Sequence, residues 1–134
     1  MNTDQRIEAL KERFVRKFKE EATDVFSSPG RIELLGNHTD HNNGKVLVST
    51  IDLNILAVAS KRDDNRVVFY SKGFPKMTVT LSRLKLHENE YGISVALIRG
   101  VLFKMKQLGY KIGGFNVVSD STIFKGAGVS SSAA

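Results

Sequence analysis

A chain of 134 residues, 41% hydrophobic and 25% charged, has the composition of an ordinary soluble globular domain and the length for one core. It contains no cysteine, which excludes disulfides and makes the reducing cytoplasm the expected location. The net charge of +6 comes from scattered lysines and arginines with no aromatic-rich basic stripe, so neither nucleic acid nor a membrane is an expected partner.

No apolar run approaches the roughly 20 residues of a membrane span, and the polar start from Met1 to Gln5 lacks a signal peptide's apolar core. Asp4 is placed to cap a helix from about Gln5 to Glu21. Its apolar stripe is Ile7, Leu10, Phe14 and Phe18, and Glu12 and Arg16 pair at i,i+4 on a solvated side. Val25-Phe26 starts a strand that ends at a Pro29-Gly30 turn, after which Arg31 to Leu35 alternates as a short half-buried strand. Gly36 then leads into Asn37, His38, Thr39, Asp40, His41, Asn42 and Asn43, a polar run closed by Gly44. Such a run of short donors and acceptors suits a ligand with many hydroxyls, since each hydroxyl both donates and accepts. The alternatives on residue types alone are a plain polar turn or a metal site, although His38, Asp40 and His41 fit no common zinc spacing.

Val46 to Ile51 reads as a buried strand, continued by Asn54 to Ser60. After a turn at Lys61–Asn65, Val67 to Tyr70 is expected to pair back as a hairpin. A second turn at Lys72–Pro75 precedes an alternating edge strand, Met77 to Leu81. From about Gly92 to Leu108 the apolar residues cover a broad helical arc, which predicts a mostly buried helix with Arg99 off the arc's centre. Gly100 within it implies close packing, and Gly109 fits the C′ position. Gly113 to Ser119 returns as a strand. The last stretch, Lys125 to Ala134, is glycine-rich, then serine-rich, then enters helix formers; it is a flexible linker, a helix cap or an anion-binding helix start, and not a Walker A loop.

The string from Ser28 to Gly44 resembles the galactokinase signature: Pro-Gly-Arg, an apolar strand, Gly, an acidic residue, His-Thr-Asp and a closing Gly. Gly126-Ala127-Gly128-Val129-Ser130-Ser131-Ser132-Ala133 resembles the phosphate-binding motif of the small-molecule kinases that act on galactose, homoserine, mevalonate and phosphomevalonate. The resemblance implies that Arg31 stabilises the transferred phosphoryl group beside the catalytic base. It makes Asn37, His38, Thr39 and Asp40 the sugar-binding set, and gives the ATP phosphates to Gly126, Ala127, Gly128, Val129, Ser130, Ser131 and Ser132, with Ser132 also on magnesium. Departures are Asn37 for the usual glutamate, His41 for tyrosine, Phe124 for proline and Val129 for leucine.

The implied fold is α+β, a mainly antiparallel twisted sheet with helices packed on one face, like ribosomal protein S5 domain 2. The implied reaction is ATP- and magnesium-dependent phosphorylation of galactose at its anomeric hydroxyl. The resemblance covers the front third of a family member, so residues 1–134 read as one partial domain with the C-terminal domain absent. The family's catalytic aspartate lies downstream, so the chain alone is expected to be inactive and to self-associate through surface exposed by truncation. A non-catalytic sugar sensor, a remnant, or a kinase for a related sugar are the alternatives.

Overall fold

The computed structural model describes residues 2–36, 43–85, 88–90 and 92–124. In chain order the elements are α1 (Thr3–Phe18), β1 (Asp24–Leu35), β2 (Leu47–Arg62), β3 (Arg66–Ser71), β4 (Met77–Thr80), a 3₁₀ turn (Glu88–Glu90), α2 (Ser94–Gln107) and β5 (Gly114–Ser121). The strands form one sheet in the order β1-β2-β5-β3-β4, which confirms the α+β class. The chain divides into two compact units, Met1–Phe26 with Ala57–Asp120, and Ser27–Leu56 with Ser121–Ala134. No helix among the described residues is long and apolar enough to cross a membrane.

In the first unit, α1 starts earlier than Asp4 would set it, because Asn2 and Gln5 cap each other. The Asn2 side chain accepts from the Gln5 amide at 2.9 Å while the Gln5 side chain accepts from the Asn2 amide at 3.0 Å. The helix ends at Phe18, where Lys19 turns left-handed at φ 61°. Leu10 and Phe14 are buried, and Phe18 meets Tyr70 edge-on at 5.5 Å. The Glu12–Arg16 pair forms on the exposed side at 3.7 Å.

The expected β2–β3 hairpin does not form. β5 occupies the place between them, running parallel to β3 with Val67 beside Phe115, while β3 pairs antiparallel with the edge strand β4, Val67 opposite Val79. β5 is buried from Asn116 through Ser119 on both faces, as a central strand must be. The turn after β2 crosses so close to β5 that a Cβ on Gly114 would collide with the Asp64 carbonyl and lie 2.7 Å from the Arg66 carbonyl. The β3 alternation then separates the helices. Val67, Val79 and Phe115 pack with Leu102 and Ile98 of α2, whereas Tyr70, on the opposite face of β3, receives α1. The helices therefore lie on the two faces of β3 and not on one.

Two burial expectations also change. Leu97 and Val101 of α2 and Leu108 at its C-cap are 52%, 61% and 63% exposed, and nothing lies within 4 Å of a Cβ built on Gly100, so the helix is neither mostly buried nor closely packed there. Arg99 is buried together with Leu102, forked onto Glu90 at 2.7 and 2.8 Å and donating to the Arg83 carbonyl. In β1 and β2, Ile32, Leu34, Leu35 and Val46–Val48 are exposed, so the sequence over-read burial at this end of both strands.

Candidate functional site

The two sequence motifs follow β1 and β5 in the chain, and the described residues that flank them belong to the second unit. β1 runs unbroken through Pro29-Gly30, so the predicted turn there is absent. Proline is tolerated because β1 is an edge strand, where a missing N–H leaves no ladder bond unmade. Arg31 lies within β1, exposed, and makes no ion pair among the described residues. Beyond it, Gly36 has φ +92°, and a Cβ there would collide with the Lys45 carbonyl and lie 2.9 Å from Val46 Cα. The chain leaving β1 and the chain entering β2 are thus pinched together, at contact distances only glycine permits. Asn43 re-enters the described chain at φ 53°, a left-handed position that asparagine tolerates. Asn37, His38, Thr39, Asp40 and His41 fall between these two points and lie outside the described residues.

At the other end of the unit, β5 stops at Ser121 and side chains take over from the ladder. The Asn54 amide of β2 donates to Thr122 Oγ1 at 2.9 Å, and the Thr122 amide donates to the Asn54 carbonyl at 3.0 Å. Asn54 Nδ2 donates to Ser27 Oγ on β1 at 3.0 Å. Ser121 Oγ then accepts from the Ile123 amide at 3.0 Å, turning the chain, and Ile123 is buried. Gly126, Ala127, Gly128, Val129, Ser130, Ser131 and Ser132 follow and lie outside the described residues.

Sequence reasoning singled out neither the pinch at Gly36 nor the Asn54–Thr122 pair. A glycine at the start of a polar run and a Ser-Thr pair ending a strand were the available signals.

The first unit carries a polar network of its own. Glu20 Oε1 accepts from Ser60 Oγ at 2.6 Å and from Asn116 Nδ2 at 2.8 Å; Asn116 Oδ1 accepts from Arg62 at 2.8 Å; Arg62 forks onto Asp64 at 2.6 and 2.7 Å. The Arg62 hydrogen bonds pull the Asp64 carboxyl down to about 2, and those from Ser60 and Asn116 lower that of Glu20. A polar recess of about 320 Å³ is lined, among the described residues, by Thr78, Thr80, Arg83, Asn89, Glu90 and Arg99.

The fold is that of the small-molecule kinases. It superposes on the mevalonate kinase of Methanococcus jannaschii with a TM-score of 0.63 at 17% identity, covering 82% of this chain and 36% of that one. Residues 12–61 match the family model described as the galactokinase galactose-binding signature. The Streptococcus suis galactokinase is 39% identical over 137 residues, 99% of this chain and 34% of that protein. The crystal structure of Lactococcus lactis galactokinase complexed with galactose aligns with a TM-score of 0.80 at 31% identity, over 92% of this chain and 33% of that one. Over nearly its whole length the chain is similar to galactokinases, and it spans about a third of the length of the relatives it matches.

Proposed function

We propose that this chain carries the sugar site and the phosphate loop of an ATP-dependent galactokinase. The observation that carries the reading is the galactose-binding signature over residues 12–61, which contains Arg31 and the whole polar run. Asn37, His38, Thr39 and Asp40 hold the sugar hydroxyls, in a loop whose ends Gly36 pins together. Gly126 to Ser132 receive the ATP phosphates, their glycines letting backbone N–H groups approach an anion.

The residues fit these groups. Arg31 is exposed and makes no ion pair among the described residues, so its guanidinium is available to an anion. The serine hydroxyls offer the hard oxygen ligands magnesium takes. Ser132 would hold the magnesium ion, which when bound would supply positive charge against the phosphates. Arg31 stabilises charge on the moving phosphoryl group, and the sugar loop fixes the accepting hydroxyl. Asn37 retains an acceptor oxygen but lacks the charge of glutamate, which makes the sugar itself the point to test.

The test is sugar-dependent release of ADP by the protein expressed at its full encoded length, against galactose, other hexoses, homoserine and mevalonate. Galactose is expected to give the highest kcat/KM. A better substrate elsewhere in the panel, or none, overturns the reading.

A further inference from the structure

Asn54 bonds both to the strand that carries Arg31 and to Thr122, the residue that follows β5. Its backbone is bonded twice by Thr122, at 2.9 and 3.0 Å, and the Thr122 hydroxyl also donates back to the Asn54 carbonyl at 3.2 Å. Its side-chain amide reaches Ser27 Oγ on β1 at 3.0 Å. Ser27 and Arg31 are four residues apart in one strand, so the two-residue period puts both on the same face. Thr122 and Gly126 are likewise four residues apart, and Ser121 and buried Ile123 fix the direction in which the chain leaves Thr122.

We infer that Asn54 and Thr122 are positioning residues, which tie the strand carrying Arg31 to the chain entering the phosphate loop. The inference rests on the galactokinase reading. A hydroxyl is needed at Thr122 because a backbone ladder would carry β5 straight on, whereas a side-chain acceptor satisfies the Asn54 amide and frees the chain to turn. The Asn54 side chain extends the same restraint to β1. A residue acting in this way affects ATP and the chemical step, and leaves the sugar contacts beyond Gly36 untouched.

The test compares Thr122→Val, Thr122→Ser, Asn54→Ala and Ser27→Ala in the protein at its full encoded length, with KM measured separately for ATP and galactose. Thr122→Val, which keeps shape and removes the acceptor, is expected to lower kcat/KM for ATP about tenfold, with the galactose KM within about twofold. Thr122→Ser should recover most of the loss. Asn54→Ala and Ser27→Ala, which leave the backbone bonds intact, should lower kcat by about threefold without changing the galactose KM, and they decide the matter if Thr122→Val does not fold. Equal changes in both KM values with a fall in Tm would mean a merely structural role and overturn the inference, as would four variants indistinguishable from wild type. A wild-type protein without ATP-dependent galactose phosphorylation removes the underlying reading, and this inference with it.

Discussion

Gly36→Ala should separate the sugar loop from its anchor. A left-handed φ costs a residue with a Cβ about 1–2 kcal/mol, and +92° lies beyond the favourable part of that region. The added methyl would also lie 2.9 Å from Val46 Cα and 3.2 Å from Val46 Cγ1, besides colliding with the Lys45 carbonyl. Two of these three neighbours are backbone, so relief requires parting the chains at the mouth of the loop. Losing one backbone hydrogen bond in doing so costs about 0.5–1.5 kcal/mol, for a total of about 2–3 kcal/mol. If the loop stays closed, the loss appears as stability in urea unfolding. If it opens, the loss appears as roughly 30–150-fold weaker galactose binding by calorimetry. Gly73→Ala is the control, with φ +82° and nothing within 4 Å, so it carries the conformational cost alone and leaves galactose affinity unchanged. Gly36→Ala with stability and galactose affinity both at wild-type values would refute the pinch.

Asp40→Ala should abolish sugar phosphorylation with little change in Tm if its carboxylate has the sugar-holding role proposed above; activity within a few-fold of wild type would sink its assignment. Arg99→Ala strips the part-buried Glu90 of its guanidinium and should cost about 1–3 kcal/mol in denaturant unfolding, the cost of leaving a polar partner unsatisfied. Asp64 has its carboxyl pulled from 3.8 to about 2, so the native state resists protonation and its contribution is present above pH 4 and lost as pH falls toward 2. Asp64→Asn should accordingly destabilise at pH 7, with the gap to wild type closing between pH 4 and pH 2 in urea titrations.

The legible parts of the fold were those decided by local pattern. The stripe of Leu10 and Phe14 gave α1 its buried face, and alternation gave β4 its inward Met77 and Val79. Parts decided by distant partners were misread. Nothing near Lys61–Asn65 signals that β5, some fifty residues on, takes the place beside β2, and the Gly114 contact that seats it is visible only in three dimensions. Pro29 looked like a turn because proline's tolerance at an edge depends on knowing which strand is the edge. On α2 the apolar arc says which faces are greasy and not what stands against them, and Arg99, read as peripheral, is held inside by Glu90. The candidate site was legible as strings, since Pro29-Gly30-Arg31 and the two polar motifs are continuous in sequence. Its supports, Gly36, Asn54 and Thr122, were not, because their roles lie in backbone contacts across strands.

The central claim is tested most directly by phosphorus NMR of the product formed from ATP, magnesium and galactose by the protein at its full encoded length. Phosphate esterified at the anomeric carbon, shown by coupling to the anomeric proton and absent in an Arg31→Ala variant, is the predicted result. Phosphate on another hydroxyl, or inorganic phosphate alone, would contradict it.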